Sequence, residues 1–443
     1  MNQILNCVVR SQFARHITRG LSLILVCLLG TWSTSSVADE QPLKVFILVG
    51  QSNMQGHADV KTLPHMAMDS KMHRMYLEMF DEASGEPRVI DDVWISYLSS
   101  NGEKHGRLTT GFGANEKKIG PELAFGMQMQ KRLNQPILII KTAWGGKSIN
   151  TDFRPPSAGA YEFDPASLER MKKQNKDIAK AKQEKIAATG VYYRQMIEHI
   201  KKVLADIKRI YPAYQPQQGY EIAGVVWFQG WNDMVDNGTY PERGQDGGYD
   251  AYSKVLADFI RDIRKDLDSP ELPFVIGVLG VGGPTSKYGA DEKRYTKIHQ
   301  NFRDAMAAPA KLPEFQENVA TVLTENYWDL ELASLLDREQ QIKKRVKKFI
   351  KEGRQSELVK ELKDNQPLTN EDREMEAKLT KNGQLEKVLI RGLTARTFTP
   401  TEFAILEVGK SNAAYHYLGS AKILSGIGAA FAEALPLAKE SEK

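Results

Sequence analysis

The chain has 443 residues, of which 41% are hydrophobic and 26% are charged, so it is long enough to bury the core of one large domain. Its formal net charge at pH 7 is +4, and three of its arginines, with no acidic residue, lie in the first 38 residues. The remaining chain is nearly balanced in charge, which argues against nucleic acid as its partner.

The N-terminal segment predicts a secretory signal peptide over residues 1–38. Its three arginines precede an apolar stretch from Leu21 to Trp32, and a small-x-small cleavage pattern ends at Ala38. Cleavage near Ala38 would make the mature protein secreted or periplasmic. The apolar stretch is too short for a membrane span, and no later segment approaches the required length.

Both cysteines of the chain, Cys7 and Cys27, lie within the predicted signal peptide. The mature protein is therefore expected to have no disulfide bond and no thiol chemistry. Val26 stands where a lipoprotein signal would have a small residue, which leaves lipid attachment at Cys27 as a minor alternative.

Five buried strands are predicted, because five short runs of apolar and β-branched residues each end in a glycine-rich or polar turn. The runs cover residues 44–49, 137–141, 222–228, 274–279 and 319–323. Helical patterns lie between them and after the last, at about 121–133, 192–210, 249–267 and 295–307, and in a final helix that ends near 435. Strands that alternate with helices predict an α/β fold with a mostly parallel sheet covered on both faces.

Three segments interrupt this alternation within the single predicted domain, which covers residues 39–443. Residues 57–118 predict a long loop with one short strand near 92–98. Residues 152–190 predict an insertion, and residues 330–385 predict a charged helical arm. The basic face of this arm, from Lys343 to Lys351, is more typical of a solvated surface than of a docking site for an anionic polymer.

No metal site is predicted. The acidic loop at 236–248 lacks the alternating ligands of a calcium loop. Four histidines in the segment 57–118 match no zinc spacing and are predicted to be solvated. They are His57, His65, His73 and His105.

The ends of the predicted strands carry the parts that an ester hydrolase needs. Ser52 follows the first strand, Gly145 and Gly146 follow the second, and Asn232 follows the third, while His416 precedes the final helix. Ester hydrolysis requires a hydroxyl nucleophile, an imidazole to carry its proton, and N–H donors for the developing oxyanion. The carboxyl edge of the sheet is therefore the candidate active site.

Four ordered sequence blocks and a terminal histidine carry a family resemblance. The blocks are Gly50-Gln51-Ser52-Asn53-Met54, Gly120-Pro121-Glu122, Ala143-Trp144-Gly145-Gly146 and Gln229-Gly230-Trp231-Asn232-Asp233. With His416, this set resembles the SGNH hydrolase superfamily, and within it the branch of sialate O-acetylesterases and family 6 carbohydrate esterases. The resemblance covers most of residues 44–435 and implies a flavodoxin-like three-layer sandwich with a mostly parallel five-stranded sheet and helical insertions.

The resemblance also implies a reaction and a set of roles. Ser52 would be the nucleophile and His416 the general base, with an oxyanion hole formed by the N–H groups of Ser52 and Gly146 and the side chain of Asn232. The implied reaction removes an O-acetyl group from a sugar or polysaccharide through an acetyl-enzyme, and needs no metal or organic cofactor. The candidate substrate-binding residues are Gln51, Glu122 and Gln229.

The third member of a catalytic triad is not at either position where relatives place it. Those positions hold Ala413, with Asn412 beside it, and Trp231. Asp233 is the first candidate to orient His416, and Asp329 is the second. A Ser-His dyad helped by a backbone carbonyl is a further alternative, because an orienting acid is worth less than the nucleophile or base.

Two other functions compete with a secreted carbohydrate O-acetylesterase. One is a catalytically silent glycan-binding protein on the same fold, which the joint presence of Ser52, Asn232 and His416 disfavours. The other is an esterase for another short acyl group; long-chain substrates are disfavoured because the loops show no long apolar lid. The sequence specifies neither the sugar, nor the acetyl position, nor the oligomeric state.

Overall fold

The computed structural model describes residues 41–437, so the predicted signal peptide lies outside the described residues. Within this range the central element is a seven-stranded sheet. Its strands are β1 Leu43–Gly50, β2 Val93–Ser99, β3 Gly102–Arg107, β4 Ile137–Ala143, β5 Tyr220–Phe228, β6 Phe274–Val278 and β7 Val319–Leu323. The order across the sheet is β7-β6-β5-β1-β4-β2-β3, and every neighbouring pair is parallel except β2 with β3.

The five predicted strands are all present and adjacent, as β4, β1, β5, β6 and β7. Numbered among themselves along the chain, they have the order 2-1-3-4-5 of a flavodoxin-like sheet. The sheet has seven strands and not five, because β2, which is the short strand predicted near 92–98, and β3 extend it beyond β4. Strand β3 is a mostly exposed edge of sequence Gly-Glu-Lys-His-Gly-Arg, and it has no apolar run from which a strand could be predicted.

The strand register brings three turns together at one edge of the sheet. Gly50, at the end of β1, lies opposite Ala143 of β4 on one side and Phe228 of β5 on the other. A Cβ atom on Gly50 would lie 2.1 Å from the carbonyl oxygen of Phe228, so only glycine fits this position. The strand order reverses between β1 and β5, and this reversal is where doubly wound sheets bind their ligands.

Helices cover both faces of the sheet. They are α1 Ser52–Gln55, α2 Pro64–Ala67, α3 His73–Met79, α4 Glu122–Leu133, α5 Pro165–Lys173, α6 Ile178–Ala188, α7 Val191–Ala205, α8 Trp231–Val235, α9 Asp250–Asp266, α10 Thr296–Ala307, α11 Leu330–Lys351, α12 Gln355–Leu362, α13 Asn370–Lys381, α14 Leu385–Thr397, α15 Pro400–Val408 and α16 Ala421–Ala434. Among residues 41–437, none combines the length and the apolar character needed to cross a membrane.

Two successive residues of β5 show how the layers pack, since side chains alternate between the faces of a strand. The ring of Trp227 lies 4.5 Å from that of Phe259 on α9, and the ring of Phe228 lies 5.4 Å from that of Phe431 on α16. Helix α16 also packs along α4. The core is therefore a three-layer sandwich with the sheet in the middle.

The segment between β1 and α4 is more ordered than the predicted loop. It contains α2 and α3, and residues 58–59 pair with residues 118–119. Of its four histidines, His73 and His105 are exposed as predicted. The prediction is wrong for His65, which is 2% exposed with its Nε2 3.7 Å from Asp329 Oδ2, and for His57, which is half-buried in the candidate site.

Residues 330–408 fold as the five helices α11 to α15. Part of this segment has a small apolar cluster of its own, formed by Val346, Leu358, Leu385, Leu389 and Leu393. Several basic side chains of α11 face acids of the same helical segment, including Lys343 with Glu339 at 2.7 Å and Lys347 with Glu386 at 3.8 Å. These ion pairs favour the solvated-surface interpretation of its basic face.

Candidate active site

The nucleophile candidate Ser52 is the first residue of α1, directly after β1. Its side chain lies at the carboxyl edge of the sheet, and the residue is 7% exposed. Gln51 Nε2 lies 3.5 Å from Ser52 Oγ. Gly56, just after α1, has a φ of +91°, and a Cβ there would lie 2.1 Å from the Cα of Gly120. Only glycine allows this close approach, which fixes the end of α1 against the start of α4.

A buried ion pair contacts the turn that carries Ser52. Lys141 and Glu122 are both 0% exposed, and Lys141 Nζ lies 2.8 Å from Glu122 Oε2. The same ammonium group donates to the carbonyl oxygens of Gln55 (2.9 Å) and Phe112 (2.8 Å), so it anchors the last residue of α1. Glu122 Oε1 accepts from the N–H of Gly120 at 2.9 Å. The Glu122 carboxylate is therefore buried and occupied by protein partners, and this arrangement does not support its predicted substrate-binding role.

Gln51 and Gln229 are also buried, each 1% exposed, and they join the turns after β1 and β5. Gln51 Oε1 accepts from Gln229 Nε2 at 3.3 Å and from the N–H groups of Gly230 and Asn232 at 3.4 Å each. Gln229 Nε2 also donates to the carbonyl oxygen of Lys147 at 3.0 Å. These two buried side chains connect the turns of the site by hydrogen bonds. Their positions do not support the predicted contact with substrate.

Asp233 does not orient His416. Its carboxylate accepts hydrogen bonds from the N–H groups of Ile149 (2.9 Å) and Asn150 (3.2 Å), from Gln229 Nε2 (2.5 Å) and from Tyr240 Oη (3.2 Å). Burial raises the pKa of Asp233 to about 6, although these hydrogen bonds oppose the rise. Asp233 therefore fastens the loop after Gly146 to helix α8.

Asp329 also lies in a different environment from the one predicted. It caps α11 by accepting from the N–H of Leu332 at 2.9 Å, and its Oδ2 lies 2.9 Å from Lys422 Nζ. Its histidine neighbour is His65. Neither predicted acid is hydrogen-bonded to His416.

The loop that carries His416 is held in an unusual conformation. Tyr417 and Leu418 have φ values of 51° and 61°, in the left-handed region that residues other than glycine seldom adopt. The Tyr417 side chain is fully buried, and its hydroxyl accepts from the N–H of Gly280 at 2.8 Å and lies 2.6 Å from Thr324 Oγ1. Tyr417 thus pins the loop to the ends of β6 and β7, which offsets the backbone strain.

His416 finds its partner within this loop. Its Nδ1 lies 3.1 Å from Asn412 Oδ1, and the N–H groups of Ser411 and Asn412 both donate to the carbonyl oxygen of Leu418 at 2.9 Å. A carboxamide oxygen can only accept, so it requires the proton on Nδ1 and leaves Nε2 free to act as a base. Asn412 is adjacent to Ala413, where the expected acid is missing, and its residue type alone carries no signal for this role.

A second imidazole packs on His416. The rings of His57 and His416 are stacked, with centroids 4.0 Å apart and planes 2° apart, and Lys118 Nζ lies 3.3 Å from His57 Nδ1. Burial, followed by the charge of Lys118, lowers the pKa of His416 to about 4. Burial, His416 and Lys118 lower the pKa of His57 to about 3. Both rings are therefore neutral at pH 7, as a general base must be.

Replacing Lys118 by methionine is expected to move the acidic limb of kcat/KM to higher pH. His416 works as a base only when it is neutral, so activity is lost as the pH falls through its pKa. Removing the nearby positive charge makes protonation easier and raises that pKa. The measurement is the pH profile of kcat/KM, with exposed Lys117→Met as the matched control. An acidic limb at the same pH in all three proteins would contradict this electrostatic role.

The candidate oxyanion donors lie around the same turn. A Cβ on Gly145 would be 4.0 Å from Ser52 Cβ, and the next residue, Gly146, is exposed with a φ of +75°. Asn232 is partly exposed on the first turn of α8, and its N–H is tied to Gln51, the neighbour of Ser52. No hydrogen bond of the described residues uses the side-chain amide of Asn232.

Ser52 and His416 lie on segments that pack against each other, α1 and the short 3-10 turn Ala414–Gly419. Within residues 41–437, no hydrogen bond joins the two side chains directly. Contacts between catalytic groups often become short only when substrate is bound. The same described range contains no group of three His, Cys, Asp or Glu side chains that could hold a metal ion.

Comparison with known proteins places this geometry in context. Residues 42–330 match the family model described as carbohydrate esterase, sialic acid-specific acetylesterase. No curated protein matches the chain. A solved structure of a protein from Arabidopsis thaliana is 18% identical, with 64% of this chain and 86% of that chain covered and a TM-score of 0.33. A carbohydrate acetylesterase from Xanthomonas citri is 17% identical, with 63% of this chain and 49% of that chain covered and a TM-score of 0.34.

Proposed function

The chain belongs to the sialic acid-specific acetylesterase family of carbohydrate esterases, and from this premise we propose that it removes O-acetyl groups from a carbohydrate by a serine mechanism. One observation carries the proposal. The turn of Ser52, the glycine pair at 145–146, Asn232 and the loop of His416 all meet where the strand order reverses.

In the proposed reaction, Ser52 Oγ attacks the carbonyl carbon of the acetyl ester while His416 Nε2 takes the hydroxyl proton. The N–H groups of Ser52 and Gly146 and the Asn232 amide stabilise the negative oxygen of the tetrahedral intermediate. When the intermediate collapses, His416 returns the proton to the departing sugar oxygen. Water, deprotonated by His416, then attacks the acetyl-enzyme, and His416 returns this proton to Ser52 Oγ as acetate is released.

We assign the orienting role to Asn412. Its Oδ1 accepts from His416 Nδ1, which fixes the ring and leaves Nε2 as the basic nitrogen. A Ser-His-Asn arrangement has the same logic as the Cys-His-Asn sites of papain-like proteases, although a neutral amide stabilises an imidazolium less than a carboxylate does.

Removing this partner should slow the chemical steps. Asn412→Ala is expected to lower kcat by about tenfold to a hundredfold with little change in KM, because the imidazole loses its fixed orientation. Asn412→Asp should keep more activity and move the acidic limb of kcat/KM to higher pH, since a carboxylate raises the pKa of its histidine neighbour. The control is Asn382→Ala, an exposed residue at the end of α13. An unchanged kcat in Asn412→Ala would contradict the proposal that Asn412 orients His416.

The proposed function is tested by acetate release. The purified protein should liberate acetate from O-acetylated sugars, and a serine-directed phosphonate should inactivate it with a single label on the peptide that contains Ser52. Wild-type protein that releases no acetate from any acetylated sugar would refute the carbohydrate esterase assignment. Release that persists after labelling of Ser52 would refute only the serine mechanism.

We further propose that the enzyme works outside the cytoplasm, on the strength of the signal-peptide pattern before Ala38. N-terminal sequencing of protein recovered from the periplasm or medium should begin at Asp39. An uncleaved N-terminus in intracellular protein would contradict this.

A further inference from the structure

Two aromatic side chains beside His416 have no part in the proposed chemistry. The rings of Trp231 and Tyr415 lie 5.7 Å apart with their planes tilted by 36°. Tyr415 also meets the ring of His416 edge to face, at 4.5 Å and 69°. Together with His57, stacked on His416, these rings form a continuous row along one side of the site.

Both aromatic residues have fixed positions relative to the reacting groups. Trp231 lies between Gly230 and Asn232, whose N–H groups both point at Gln51 Oε1, so it lies next to the oxyanion donor Asn232. Tyr415 directly precedes His416 in the loop. Trp231 is partly exposed and Tyr415 is 44% exposed, so both side chains are accessible to solvent. The pair therefore presents aromatic surface to a bound molecule.

The direction of proton transfer shows which part of the substrate would lie there. The acetyl oxygen must face the oxyanion donors, whereas His416 must reach the oxygen of the departing alcohol in order to protonate it. Groups attached to that alcohol therefore extend past His416. Tyr415 borders His416 directly, and Trp231 lies behind Tyr415.

We propose that Trp231 and Tyr415 form a binding subsite for the pyranose ring that carries the acetyl ester. This inference rests on the proposed function, because it takes the departing alcohol to be a sugar hydroxyl. A pyranose ring has a face of C–H groups, and a flat aromatic surface packs against it while the hydroxyl groups stay hydrated. An acyl chain would lie on the opposite side of the ester, away from this aromatic pair.

The test compares three acetate esters that differ only in the alcohol. The substrates are mono-O-acetylated methyl pyranosides, one neutral and one with a carboxylate, and 2-hydroxyethyl acetate, which has no ring. Tyr415→Ala and Trp231→Ala should each lower the ratio of kcat/KM for at least one pyranoside to kcat/KM for 2-hydroxyethyl acetate by at least about tenfold, which is about 1.4 kcal/mol. Tyr415→Phe keeps the ring and should retain most of that ratio.

Tyr220→Ala is the matched control, because Tyr220 is 43% exposed but lies at the amino end of β5, at the opposite edge of the sheet. It should leave the ratio unchanged. If both alanine variants lose activity equally toward the ring and ring-free esters, the subsite assignment is overturned.

Binding separates this inference from the proposed function. In the Ser52→Ala background, calorimetry should show that at least one of the same pyranosides binds, with an affinity that falls at least about tenfold when Tyr415→Ala is added. Binding that is absent, or unchanged by Tyr415→Ala, overturns the subsite. Wild-type protein that binds the pyranosides through Tyr415 without hydrolysing them would support the subsite and refute the esterase function.

Discussion

Ser52→Ala is expected to lower kcat for acetyl ester hydrolysis by at least about a thousandfold. The substitution removes the proposed nucleophile, while the proposed oxyanion donors and the fold remain. Residual activity would come from water activated by His416. The measurement is steady-state acetate release, with unfolding curves to confirm that the variant is folded.

His416→Ala should cause a loss of similar size, because nucleophile and base act as one unit. The double variant should then be no worse than either single variant, since each already abolishes the shared step. Ser425→Ala is a matched control, because Ser425 is a buried serine too but lies on α16 against Met79. A Ser52→Ala enzyme that keeps more than about a tenth of wild-type turnover would contradict a serine mechanism.

The sheet and the location of the site could be predicted because both depend on local patterns. Buried parallel strands are short continuous apolar runs, and parallel strands direct their carboxyl ends to the same edge. Ser52 and the glycine pair at 145–146 therefore had to emerge at the same edge of the sheet. The edge strand β3 carries no such pattern, because an exposed edge needs no apolar face.

The partner of His416 could not be predicted, because it depends on loop conformation. Asn412 reaches the imidazole only because Tyr417 and Leu418 adopt left-handed backbone angles, which nothing in their residue types indicates. The strain is supported by the buried hydroxyl contacts of Tyr417 with residues far away in the sequence. The sequence spacing between His416 and an expected acid contains no information about these long-range contacts.

The choice of Asp233 failed for a simpler geometric reason. Asn232 and Asp233 are adjacent on helix α8, and successive helical residues point about 100° apart. When the Asn232 side chain is partly exposed near the active site, Asp233 must turn inward. There its carboxylate meets the N–H groups of the loop at 149–150.

Glu122 shows the same limit from another direction. Its block resembles a functional motif, but the effect of Glu122 on the site is indirect. Glu122 forms an ion pair with Lys141, and Lys141 donates a hydrogen bond to the carbonyl oxygen of Gln55. Sequence similarity identifies such a residue as important without separating a substrate contact from a buried support. Only its complete burial makes that distinction.

Lys141→Met should therefore destabilise the protein by about 3–5 kcal/mol, the cost of leaving one member of a buried ion pair without its partner. The Glu122 carboxylate would stay buried beside an apolar side chain, and the carbonyl oxygens of Gln55 and Phe112 would lose their donor. Urea unfolding measures the loss. Lys172→Met, which breaks an exposed pair with Glu169, should cost less than about 1 kcal/mol.

The double variant Lys141→Met with Glu122→Gln separates the charge effect from packing. It should recover part of the lost free energy, because the unpaired carboxylate is gone, and the cycle then gives the coupling between the two groups. The folded fraction of Lys141→Met should also show a lower kcat, since Gln55 ends the short helix that begins with Ser52. A variant with wild-type stability would mean that the ion pair with Glu122 does not offset the desolvation cost of burying Lys141. A variant with wild-type kcat would mean that the turn of Ser52 holds its geometry without the ammonium group beneath it.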